Sequence, residues 1–158
     1  MFIGAKLDAV YTASQLTGSE SGSVPAPGDL FFGREGKIYK FVKYDTGAGS
    51  VAAVAGNVAY YYTMDGYKNF TVTSDLSDSV EIGAGVLQSA PGDGEYGWVQ
   101  IKGAATVTTA LSGGADGDPL TPTGAADGTL DLTTAVTDHI CAYAGDQSDN
   151  EIICDFPF

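Results

Sequence analysis

From residue 30 onward the apolar positions come in short alternating runs. In Lys37-Ile38-Tyr39-Lys40-Phe41-Val42-Lys43, one face carries Lys37, Tyr39, Phe41 and Lys43 and the other Ile38, Lys40 and Val42. A period of two is the signature of a strand. Leu30-Phe31-Phe32 precedes this run across Gly33-Arg34-Glu35-Gly36, which predicts a hairpin. Val51 to Tyr62 can open as a helical turn, because Ala favours helix. The Gly56-Asn57 break and Tyr60-Tyr61-Tyr62 turn the reading to strand or loop. Phe70 to Thr73 reads as a further strand, followed by a polar connection over 75–79.

The clearest pattern lies between Glu81 and Leu111. Val86 to Ala90 forms a strand and Pro91-Gly92-Asp93-Gly94 a turn. Glu95 to Lys102 is a second strand, ended by Gly103, and Ala104 to Leu111 alternates as a third. Loops rich in Gly and Asp follow over 112–119 and 121–128, with a short strand at Thr129 to Thr133. The last segment repeats the hairpin type: Ile140 to Ala144, a polar turn, then Glu151 to Asp155. A symmetric turn there sets Cys141 opposite Cys154 and Tyr143 opposite Ile152. No window carries a sustained helical stripe. The expected fold is all-β: a single-domain β-sandwich or β-barrel of short antiparallel strands, with at most a helical turn or two.

Residues 1–27 differ in kind. Thr12 to Gly28 is rich in Ser, Thr, Gly and Pro, which rarely packs a core. Phe2, Ile3, Leu7, Val10 and Tyr11 put apolar side chains at the tip of this polar stretch. The division expected is an extended N-terminal arm, 1–27, and a β domain, 28–158. The arm either orders against a partner or tucks into its own domain, and the pattern leaves both open.

Charge narrows the functions. The net charge is −13; Lys and Arg total seven, and Arg34 is the only arginine. Phosphate recognition needs clustered cations, so nucleic acid and anionic membranes are not expected partners. No cation follows Lys102, while Asp and Glu continue to Asp155. This asymmetry suggests an acidic end turned to solvent, with the arm, the aromatic residues and Lys37, Lys40 and Lys43 toward a partner. The opening Met1 to Lys6 lacks a basic segment followed by a long apolar run, and no stretch reaches the roughly 20 apolar residues of a membrane helix. The expectation is a cytosolic product. Cys141 and Cys154 are then expected reduced and buried, a bridge being the alternative.

Catalytic chemistry is sparse. His139 is the only histidine, and its neighbour Asp138 would point to the other face of a strand. One His and two separated Cys do not make a zinc, haem or iron–sulfur site. Gly113 to Asp118 occurs once, whereas calcium-binding repeats of that composition work in stacks. Asp146, Asp149 and Glu151 form a second acidic loop, read as solvated turn residues. Gly113-Gly114 lacks the Lys and Ser/Thr of a phosphate-binding loop. No catalytic residue, cofactor or metal is expected. Tyr and Trp are enriched at protein interfaces. The residues expected to contact a partner are therefore Phe2, Ile3, Leu7, Tyr11, Tyr60, Tyr61 and Tyr62.

Three segments together, Gly36 to Lys43, Gly85 to Gly103 and Gly117-Asp118-Pro119-Leu120, resemble the capsid decoration (cement) proteins of tailed bacteriophages. The resemblance spans roughly 28–158 and rests on strands and turns. It implies a non-enzymatic protein, made in the host cytoplasm, that binds the outer surface of the virion head. The implied partners are the major capsid protein, whose neighbouring subunits it would bridge, and further copies of itself in a homotrimer. A carbohydrate-binding or adhesin-like β-module of a tail or fibre is the alternative, and a carboxylate hydrolase ranks last.

Overall fold

In a computed structural model, residues 4–18, 24–63 and 66–158 are described. Strands hold 36% of the chain and helices 8%, so the helical turns act as connectors in an all-β single domain. Five strands close a barrel: β2 (Ile38–Tyr44), β3 (Val58–Tyr62), β4 (Thr71–Thr73), β5 (Ser79–Leu87) and β6 (Tyr96–Thr106). Around it the order is β2-β4-β3-β5-β6, with β6 returning to β2. β1 (Leu30–Phe32) pairs with β2 through the expected hairpin, Phe32 opposite Ile38.

The far half of β6 leaves the barrel and carries an open sheet. β10 (Glu151–Asp155) pairs with it over 102–106, then come β9 (Ala142–Asp146), β7 (Pro119–Thr121) and β8 (Asp131–Leu132). Two short helices are present, α1 (Ala13–Thr17) ahead of β1 and α2 (Gly66–Asn69) between β3 and β4, along with a 3-10 turn at Leu76–Asp78.

Four expectations change. Not every pair is antiparallel: β2 and β4 run parallel, Lys43 opposite Thr71 and Tyr44 opposite Val72. A parallel pair needs a long crossover, which residues 45–70 supply. Two strands are not short, since β5 has 9 residues and β6 has 11. Gly103 does not end β6 but lies within it at φ +89°. A Cβ there would sit 3.0 Å from Lys37 Cγ, so glycine permits the passage from barrel to open sheet. Pro119–Thr121, read as loop, is a strand; three residues opening on Pro carry too little pattern to register.

The last hairpin also shifts by one position. Ala142 faces Cys154 and Tyr143 faces Ile153, with an irregularity between Glu151 and Ile152. Cys141 therefore does not stand opposite Cys154. Both thiols are free and buried.

Alternation divides the apolar residues into two layers. Val42, Tyr44, Val99, Ile101, Tyr60 and Tyr61 belong to the main core, together with Cys141, Ile152, Cys154 and Phe156 beneath the open sheet. Tyr39, Phe41 and Trp98 point the other way and build a separate aromatic cluster on the barrel's outer wall. Each fully buried aromatic contributes about 2–3 kcal/mol of burial.

Candidate functional surface

The arm covers the outer aromatic cluster. Ala5, Leu7, Tyr11 and Leu16 pack against Tyr39, Phe41 and Trp98. The Tyr11 ring meets Phe41 edge-on at 5.6 Å, and Phe41 meets Trp98 edge-on at 5.2 Å, the arrangement aromatic quadrupoles favour. The backbone adds an antiparallel bridge. Tyr11 N–H donates to the Tyr96 carbonyl at 2.9 Å, and Tyr96 N–H donates back at 2.8 Å. Leu7 and Tyr11, expected at a partner surface, thus rest on the chain's own barrel. Phe2 and Ile3 lie outside the described residues.

Tyr60 and Tyr61 are corrected outright. Both are 0% exposed, so neither presents surface to a partner in this fold. The Tyr60 hydroxyl lies at hydrogen-bond distance from the Thr129 and Ala126 carbonyls and accepts from Thr129 N–H at 2.9 Å. Burial holds its pKa well above the usual phenol value. The Tyr61 hydroxyl accepts from Lys40 Nζ at 2.8 Å. Tyr62 is half-buried, and the Asp45 carboxylate raises its pKa. Consecutive tyrosines do face both sides of β3, but the loop at 126–129 covers the outer side.

Lys40 is the second correction. The charge asymmetry suggests Lys37, Lys40 and Lys43 toward a partner, yet Lys40, which alternation sets on the face opposite the other two, is 1% exposed. Its ammonium donates to Tyr61 and, at 3.3 Å, to the Pro157 carbonyl. Burial lowers its pKa to about 8, with help from Lys102.

The acidic residues fasten turns. Asp118 accepts from Ala115 N–H and Asp116 from Gln147 N–H. Asp146 accepts from the Ser148 hydroxyl and backbone, which lowers its pKa. Asp138 accepts from Thr134 and Ala135 N–H and so closes its own turn. Asp75 is held below the ordinary carboxylate range by Ser77, and accepts from Gly49 N–H. Among the described residues no group of three His, Cys, Asp or Glu is placed to hold a metal ion.

One open cleft of about 490 Å³ is lined by Leu76, Ser77, Glu81, Ala125, Ala126 and Asp127. No lining residue is aromatic, so a sugar ring has no stacking platform there. Glu81 and Asp127 already accept from Thr123 and from Leu76 N–H.

Exposed large apolar side chains occur at several places, Phe32, Tyr67 and Val136 among them, and on the open sheet two of them stand side by side. The sheet's inner face buries Leu120, Ala142, Ala144, Ile152 and Cys154. Its outer face leaves Ile153 52% and Tyr143 40% exposed. Pairing aligns Ala104, Ile153, Tyr143 and Pro119 in one row across β6, β10, β9 and β7. Period-two alternation placed Ile153 and Tyr143 in strands, but the turn's register decided which face they share.

The fold defines a class, an all-β protein with a closed barrel and an appended open sheet. No family model matches the chain, and no curated protein matches it in sequence. Among solved structures the fold is similar to the N base of head fiber gp8.5 in bacteriophage phi29. That likeness has 16% identity and a TM-score of 0.47, over 77% of this chain and 98% of that one. At this level it carries no functional argument.

Proposed function

We propose that this is a non-enzymatic capsid decoration protein. It binds the outer surface of a phage head and bridges neighbouring major capsid subunits, as a homotrimer. The observation that carries this reading is the division of labour among its side chains. Carboxylates and hydroxyls are spent on turns, while the open sheet keeps an uncovered apolar row. Such surface is the material of protein contacts and not of catalysis. The strand and turn segments that resemble cement proteins support the same reading. Many copies on a lattice make a modest contact sufficient through avidity.

Purified protein mixed with undecorated heads should co-sediment with them and raise their resistance to heat. Absence from the pellet across micromolar concentrations would overturn the proposal. Native mass spectrometry should find a trimer, and a monomer would remove the oligomer from it.

A further inference from the structure

Antiparallel sheets commonly keep one face polar toward water. The sheet β6-β10-β9-β7 departs from that rule at its centre. Ile153 and Tyr143 stand opposite each other on adjacent strands, flanked across the sheet by Ala104 and Pro119. Along β10 the exposed positions are Glu151, Ile153 and Asp155, so the apolar centre is bracketed by carboxylates.

The charge around it is one-sided. Of the four strands, three lie after Lys102, a segment with Asp and Glu but no Lys or Arg. Lys102 is already committed to Asp155 at 2.6 Å. Lys37 lines a shallow groove beside Glu151, Ala104 and Thr106 at the barrel edge. The remainder of the sheet, with Asp116, Asp146 and Asp149 in its loops, carries no counter-charge among the described residues.

We propose that this face is the docking surface, and that its occupant is a protein surface with an apolar centre and a rim of Lys and Arg. The inference rests on the decoration reading above and names which side of the molecule meets the capsid. Charge complementarity selects that occupant. A second copy of the same face would set carboxylate against carboxylate, and like charges across an interface disfavour it. This reverses the orientation that the linear charge pattern suggested. The lysine cluster is divided by the burial of Lys40, and the acidic part of the chain carries the exposed apolar row.

The test is co-sedimentation with undecorated heads, comparing wild type, Ile153→Asp/Tyr143→Asp and Val136→Asp. Val136 is fully exposed elsewhere and serves as the control. Circular dichroism and the thermal midpoint check folding. Ile153→Thr/Tyr143→Ser, which keeps strand propensity and adds no charge, replaces the first variant if that one does not fold. The expected result is at least a tenfold loss of head binding for the sheet variants, none for Val136→Asp, and weakening of wild-type binding by salt. Equal binding by wild type and sheet variants overturns the inference. If the sheet variants lose self-association as well as binding, the occupant is a second copy and the inference is overturned in favour of a self-interface. Failure of wild type itself to bind heads is the separate result that removes the decoration reading.

Discussion

Lys40 Nζ donates a 2.8 Å hydrogen bond to the Tyr61 hydroxyl inside the barrel, where no carboxylate partners the ammonium among its hydrogen bonds. A buried cation without an ion pair costs stability. Its pKa of about 8 lies below the ordinary lysine value of 10.5. Below about pH 8 both folded and unfolded chains hold the proton, and the penalty is constant. Between about 8 and 10.5 the unfolded chain binds more protons, so stability rises with pH. Above about 10 the raised pKa of Tyr60 and Tyr61 reverses the trend, because the unfolded chain ionises first. In urea titrations from pH 7.5 to 9.5 Lys40 should contribute a gain of roughly 1–2 kcal/mol, set against the loss from the buried thiols Cys141 and Cys154, whose raised pKa lowers stability as pH passes the free thiol value. Lys40→Met should lack that gain.

Trp98, the chain's only tryptophan, lies beneath the arm. Deleting residues 1–18 should shift its fluorescence to longer wavelength and cost roughly 2–4 kcal/mol of stability, from the apolar contacts of Leu7, Tyr11 and Leu16. An unchanged emission maximum would show that the arm does not shield the indole in solution.

Gly85 has φ +147°, and a Cβ there would stand 2.8 Å from both Val99 Cβ and the Gln100 carbonyl oxygen. Gly94 also has positive φ, at +74°, but open space around it. Gly85→Ala should destabilise by at least about 2 kcal/mol, and Gly94→Ala by about 1 kcal/mol. Paired chemical denaturation curves compare them directly.

Removing the Tyr60 hydroxyl takes away the 2.9 Å acceptor of Thr129 N–H in the interior and leaves it only the longer 3.4 Å bond to the Ala126 carbonyl. Tyr60→Phe should cost about 1–3 kcal/mol while leaving the far-ultraviolet dichroism of the β fold unchanged.

Burial pushes Cys154 up to about 12 and Cys141 upward as well. Thiolates are the reactive form. The native protein at pH 8 should react with neither thiol on the minutes scale, and both should react in urea. Rapid native labelling would mean that the open sheet opens readily.

Much of the fold is legible because period-two patterning survives any tertiary arrangement. The hairpins at 30–44 and 142–155, the strand at Thr71–Thr73 and the outer Tyr39-Phe41 face follow from it. The candidate surface is less legible. Alternation gives relative faces but not which face meets water: Tyr60 lies under the 126–129 loop, while Lys40 and Tyr61 point into the barrel.

By itself, then, the sequence determined the identity of most strands, the scarcity of catalytic residue types and the acidity of everything beyond Lys102, since these depend on residue type and local spacing. Only the tertiary structure decided that β4 lies parallel to β2, that β6 passes Gly103 to join barrel and sheet, and that Tyr143 meets Ile153 on the open side. Those choices depend on register and long-range closure, where a one-residue slip turns a side chain from core to solvent.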